Sequence, residues 1–239
     1  MFLTAAEAAW RRASSPNYQG GGVVVAIGYP LTNTVFSPRR IYDLTPPGGS
    51  SSESGRHGGA EHLLDFIEGT VKPFVATHFL AGSTVGREAI FGHSLGGLFG
   101  LYALLTRTSL FDCYMCASPS IWFHDCLILD FERRFYEDGR ADKPAGMPRP
   151  ALMMSVGSLE QNISRRSGET EEEFEKRRNM AKQRAMLDNA EMLCARLKQS
   201  DLLSGVVLRE YPGEDHGTVM ACALSRFLTT FFEEWPVNS

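Results

Sequence analysis

Glu88-Ala89-Ile90-Phe91-Gly92-His93-Ser94-Leu95-Gly96-Gly97-Leu98-Phe99-Gly100-Leu101 is the stretch whose reading decides the fold. A short apolar run ends at Phe91, and Gly97 to Leu105 continues as a helix pressed closely on the sheet; Gly-His-Ser-Leu-Gly, a G-x-S-x-G pattern, sits at the junction. A strand that hands over to a helix through so tight a turn lifts the serine hydroxyl above the end of the sheet, which makes Ser94 a candidate nucleophile. Positive φ in the turn and close helix packing leave little room for Cβ atoms, so the flanking glycines have a steric reason to be there. Taken alone, the five residues would also suit an ordinary turn between strand and helix.

What lies downstream separates these readings. Val206 to Tyr211 reads as a strand, Pro212-Gly213-Glu214-Asp215 as a turn, and His216 stands just before a helix beginning near Thr218. Between serine and histidine, Ala151 to Gly157 reads as a buried strand, with Glu160 just beyond its C-terminal end, where open α/β sheets place catalytic groups. The order serine, acid, histidine is that of an α/β-hydrolase. Ser94 needs a base to take its proton, and a neutral imidazole at His216, with an ordinary pKa of about 6.5, is suited to that task. Glu160 is the expected third member, holding the ring in the required tautomer. Glu214 and Asp215 rank below it, because neighbours in sequence diverge in direction. His93 reads as a packing or hydrogen-bonding residue of the turn. The backbone N–H of Leu95 is the expected oxyanion donor. A second donor is required, and no His-Gly-Gly-Gly-like segment precedes the turn to supply it.

The chain of 239 residues is 43% hydrophobic, enough for one substantial core, so we expect a single α/β domain over 1–239. A net charge of −4 without a long basic tract gives no footprint for nucleic acid. Cys113, Cys116, Cys126, Cys194 and Cys222 lie in or near apolar patterns and suit reduced thiols better than a disulfide framework. Cys113-x-x-Cys116 lacks both a thioredoxin context and a second zinc pair. His57, His62, His78 and His124 show no metal spacing, and neither metal nor cofactor is expected. No run of eighteen apolar residues exists, and residues 1–10 form an amphipathic helix pattern without the features of a signal peptide, so we expect a soluble cytoplasmic protein that makes no membrane contact.

The remaining elements follow the α/β rhythm of a mostly parallel sheet flanked by helices. Val23 to Gly28 is a β-branched apolar run and reads as a buried parallel strand. Leu31 to Gly59 reads as a long loop, of the kind that tends to carry function. His62 to Val75 repeats apolar residues at Leu63, Phe66, Ile67, Val71 and Phe74 and reads as a helix. Phe111 to Ala117 reads as a strand, Asp130 to Tyr136 as a short helix, and Arg165 to Leu197 as a charged segment running into one long helix.

Three segments resemble the siderophore esterases of the α/β-hydrolase superfamily, including the IroE-like enterobactin esterases and the fungal triacetylfusarinine C esterases. They are Val25-Ala26-Ile27-Gly28-Tyr29-Pro30, Arg39-Arg40-Ile41-Tyr42-Asp43-Leu44-Thr45-Pro46, and Phe91 to Phe99 with Ser118-Pro119-Ser120-Ile121-Trp122 beyond it. The resemblance implies hydrolysis of ester bonds in iron-chelating siderophores, with Ser94 and His216 paired. It places Arg39 or Arg40 at the pocket, where a guanidinium could attract an anionic ferric chelate, and makes Tyr29 and Tyr42 the accompanying substrate contacts. Some members resemble a Ser-His dyad more than a triad. Iron would travel with the substrate. The family usually has further N-terminal strands ending in a Leu-Asp-Gly-Asn type turn that supplies the second oxyanion donor; without them we expect a shortened α/β-hydrolase domain, weak in activity or folding, with an exposed sheet edge liable to self-association. A general carboxylesterase or thioesterase of the same fold, or an inactive binding relative, are the alternative readings.

Overall fold

Four short apolar runs form the sheet in the computed structural model, which describes residues 22–30, 36–49, 57–80, 82–137 and 149–234. They are β1 (Ala89–His93), β2 (Cys113–Ala117), β3 (Ala151–Gly157) and β4 (Gly205–Tyr211), paired in that order and all parallel. Every residue of β2 and β3 is buried, whereas β1 is half-buried and β4 emerges towards its end. Continuous apolar character is what a strand covered on both faces requires, so the central two strands are the most uniformly apolar. The register aligns His93 with Ala117, Ser155 and Arg209, which brings the C-terminal ends of all four strands to one edge of the molecule.

Helices cover both faces. They include α1 (Arg39–Leu44), α2 (Ala60–Phe66), α3 (Lys72–Phe79), α4 (Leu95–Thr106), α5 (Ile128–Glu137), α6 (Glu171–Arg184), α7 (Met186–Lys198) and α8 (Val219–Glu233); α4, α5 and α7 share one core with the sheet, α1 and α2 pack on α4, and α8 takes the other face. Leu98, Leu101, Leu104, Tyr114, Ile121, Leu152, Met154, Leu193 and Leu197 build the larger core between the sheet and α4, α5 and α7. Met115, Met153, Ala223 and Phe227 build a smaller one beneath α8. Gly100 lets α4 lie tight against the sheet, because a Cβ there would stand 2.8 Å from the Cys116 sulfur. All five cysteines are free thiols, and Cys113, Cys116 and Cys194 are buried.

The fold departs from the sequence reading in four places. Val23 to Gly28 joins no strand of the described sheet, and Val23, Val25 and Ile27 stand about half exposed. A β-branched run has the propensity for a strand but not the ladder partner that makes one. Arg39 to Leu44, expected as loop, is a helix entered through Pro38; an Arg39–Asp43 ion pair one turn apart braces it, and the Thr45 hydroxyl donates to the Ile41 carbonyl at its end. The expected 62–75 helix is broken by a π-helical turn, Ile67–Val71, between α2 and α3. Ala60, Leu64 and Ile67 lie on one buried face at ordinary helical spacing, while Phe66 before the turn and Phe74 beyond it face outward. Finally, the long helix is two: Ala185 takes a left-handed conformation (φ 43°, ψ 48°) and separates α6 from α7. The opening helix expected over 1–10 lies outside the described residues.

Candidate active site

Ser94 occupies the turn between β1 and α4 with φ 63° and ψ −119°, a conformation that non-glycine residues adopt only when the surroundings impose it. Its N–H donates to the Ala117 carbonyl at 3.0 Å, and its carbonyl accepts from Leu98 N and Ser120 N at 3.0 and 3.2 Å. Gly92 and Gly97 make the turn possible. A Cβ on Gly92 would run into the Gly96 carbonyl, and one on Gly97 would stand 2.9 Å from the Ala117 carbonyl. Gly96 itself faces open space, so packing at that position does not demand glycine.

His216 comes from the loop after β4. Its Nε2 lies 3.0 Å from Ser94 Oγ, and its Nδ1 lies 2.5 Å from Glu160 Oε2. The imidazole is 44% exposed, whereas the Glu160 side chain is 1% exposed, so the line runs from a dry carboxylate out to an accessible hydroxyl. Glu160 is brought there by a zipper between the β3 and β4 loops: Ser158 N donates to the Tyr211 carbonyl, Leu159 N to the Glu214 carbonyl, and Gly213 N to the Ser158 hydroxyl. Burial by itself would raise the Glu160 pKa. Hydrogen bonds from His216, from Gly157 N at 2.7 Å and from the Ser118 hydroxyl at 2.5 Å outweigh it and hold the carboxyl below its ordinary value. Asp215 is turned away; its Oδ1 accepts from Gly217 N and Thr218 N at the entry to α8, and those bonds lower its pKa.

Leu95 is the first residue of α4, so its N–H is among those an α-helix leaves without an intrahelical acceptor, on the positive end of the helix dipole. The four residues expected at the pocket part company. Arg40 is half-buried, carries Phe36 against its guanidinium at 5.2 Å, and lies close enough to His93 to depress that ring's pKa. Arg39 points outward and pairs with Asp43 at 3.2 Å. Tyr29 is pushed up to about 12 by burial first and then by the Asp43 charge, to which its hydroxyl is hydrogen-bonded. Tyr42 packs on Gly59 and places its hydroxyl 3.1 Å from His62 Nδ1, serving the α1–α2 contact.

Two serines that the sequence reading left without a role stand in the site, with His93, which it read as a packing or hydrogen-bonding residue of the turn. Ser118, at φ 44°, supports Glu160. The Ser120 hydroxyl is 3.4 Å from that of Ser94. His93 Nε2 is 2.7 Å from the His216 carbonyl. The signal that could have found the first two is their place directly after a strand's C-terminal end. Among the described residues, no group of three or more His, Cys, Asp or Glu side chains is gathered as a metal site, and no helix is long and apolar enough to cross a membrane.

Residues 11–192 match the family described as "Putative esterase". The chain is 46% identical over 239 residues to the siderophore triacetylfusarinine C esterase of Aspergillus fumigatus, covering 100% of this chain and 80% of that protein. It is 45% identical over 234 residues to the siderophore enterobactin esterase of Emericella nidulans, covering 94% and 76%. Among solved structures, the siderophore hydrolase EstB from Aspergillus nidulans superposes with a TM-score of 0.90 at 46% identity, covering 100% of this chain and 81% of that one. With its parallel sheet, its flanking helices and these relatives, the chain belongs to the esterase family of the α/β-hydrolase superfamily that contains the fungal siderophore esterases.

Proposed function

We propose that the chain hydrolyses ester bonds of ferric siderophores through an acyl-enzyme, with Ser94 as nucleophile, His216 as general base and then acid, and Glu160 as the residue that orients the imidazole. The observation that carries this reading is the unbroken hydrogen-bonded line from Ser94 Oγ through His216 to buried Glu160. It favours a triad over a dyad, because two donors fix one oxygen of buried Glu160 and leave the other turned to His216 Nδ1.

Ser94 Oγ attacks the ester carbonyl carbon while its proton passes to His216 Nε2. The carbonyl oxygen becomes an oxyanion that the Leu95 N–H faces. Collapse expels the alcohol, which takes the proton from His216, and leaves an acyl-Ser94; water, deprotonated by the same Nε2, then releases the carboxylic acid and restores the serine. Arg40 is the better candidate for an anionic ferric chelate, since Arg39 is already paired. The named activities of the fungal relatives support a siderophore as the ester, with iron as part of the substrate. A cytoplasmic setting suits five unpaired thiols, and self-association through β1 belongs to the same proposal, since β1 pairs only with β2 among the described strands. Sedimentation over a concentration series tests the latter, a constant monomer mass rejecting it.

Incubation with ferric triacetylfusarinine C, ferric enterobactin and a simple aryl ester, read by mass spectrometry, is the direct test. Cleavage of a ferric chelate that is lost in Ser94→Ala, by about 10⁴-fold or more, is expected. Turnover of the aryl ester alone rejects the siderophore and leaves a general carboxylesterase or thioesterase. Failure of a fluorophosphonate to label Ser94 in folded protein rejects the esterase mechanism in favour of a binding protein.

A further inference from the structure

We propose that His93 is a positioning residue that holds the base in place: its Nε2–H grips the main-chain carbonyl of His216 and thereby fixes the height and tilt of that imidazole above Ser94. The inference rests on the serine-esterase reading above.

The bond spans the sheet. His93 is the last residue of β1 and His216 follows β4, and these are the two edges of the four described strands, so the contact closes the C-terminal edge over β2 and β3. It joins the immediate neighbour of the nucleophile to the backbone of the base at 2.7 Å, and the two rings face one another with centroids 4.7 Å apart at 41°. Glu160 fixes His216 at Nδ1, but a single bond at one ring atom leaves the ring free to swing about it. Anchoring the carbonyl on the far side of the same residue removes that freedom. Proton transfer from Ser94 requires Nε2 within a few tenths of an ångström of its place, so an anchor on the base's own backbone bears on rate more than on binding.

The chemistry of the anchor is settled by its acceptor. A carbonyl oxygen accepts only, so His93 Nε2 carries the hydrogen. Burial first, then the charge of His216, push the His93 pKa down to about 4; the bond to the His216 carbonyl and the Glu160 charge oppose this, and Arg40 adds to it. At neutral pH His93 is therefore an uncharged donor, and no second cation stands against the imidazolium that forms on His216 during attack. Arg40, Glu160 and His216 are the charged or titratable groups acting on the ring.

His93→Gln and His93→Met test this, since the two replacements match in length and only glutamine carries an N–H donor near the Nε2 position. On an aryl ester, with thermal unfolding as a check on folding, His93→Met should lose about 10- to 100-fold in kcat with KM within about twofold, and His93→Gln should recover most of that loss. Equal turnover by wild type and His93→Met overturns the inference, as does an equal loss in both variants or a loss that falls on KM. If His93→Met does not fold, His93→Phe, which keeps a flat ring without a donor, takes its place under the same expectations. Ser94→Ala is assayed alongside. Wild-type turnover in that variant removes the esterase reading and this inference with it, whereas a dead Ser94→Ala beside a fully active His93→Met removes the inference alone.

Discussion

Glu160 shows how one side chain's surroundings set its use. Its carboxylate accepts from Ser118 and Gly157 on one oxygen and faces His216 on the other, and the three bonds keep it ionised despite burial. Glu160→Gln keeps the shape but presents an amide where the imidazolium needs a negative charge. We expect kcat to fall by about 10³- to 10⁴-fold with KM little changed, measured on an aryl ester; a loss below about tenfold would mean that the base works as a dyad. The meeting of Ser94, Glu160 and His216 was legible in the sequence because each carries reactive chemistry and follows a readable strand. The partners of His93, Ser118 and Ser120 were not, because a hydroxyl or a second imidazole finds its partner across the fold, 123 residues away for His93 and 42 for Ser118. Tyr42 shows the converse: its segment is distinctive, yet its ring is spent on packing against Gly59.

At the scale of elements, β1 to β4 were readable as continuous apolar runs, but the same kind of run at Val23 to Gly28 joins none of them, since pairing depends on a neighbour that local sequence does not name. The break between α6 and α7 was equally hidden. No glycine or proline marks it; Ala185 is left-handed because Gln161, one residue beyond Glu160, offers its side-chain oxygen to Leu187 N and Asp188 N at 3.1 and 3.2 Å and starts a new helix. The loop that carries the acid is thereby tied to the beginning of α7. A left-handed alanine costs about 1–2 kcal/mol, and glycine avoids that at an unfolded-state cost of about 0.5–1 kcal/mol. Ala185→Gly should therefore stabilise the protein by about 0.5–1 kcal/mol, raising the midpoint of thermal unfolding by roughly 2 °C. A lower midpoint would show that the methyl group's contacts outweigh its strain.

For the molecule as a whole, the C-terminal edge of the sheet stores a pH dependence of stability. Three groups there bind protons more weakly in the folded chain than in the unfolded one: His93, held down to about 4 from an ordinary 6.5, and Glu160 and the more exposed Asp215, each held below its ordinary carboxylate value. Where the unfolded chain binds more protons, unfolding free energy rises with pH. The His93 contribution is thus complete above pH 6.5 and lost as pH falls towards 4, while those of Glu160 and Asp215 are complete above their unfolded values and lost at still lower pH. Acid should accordingly weaken the fold in two stages, the milder one from His93. Other histidines titrate over the same range, so the comparison that isolates His93 is His93→Gln, in which they remain and the depressed group is gone. Urea unfolding from pH 7 to pH 4 should give a shallower decline in the variant, by up to about one proton's worth of slope. Parallel curves for wild type and variant would mean that His93 takes up its proton as readily inside the fold as outside it, which its burial beside His216 does not permit.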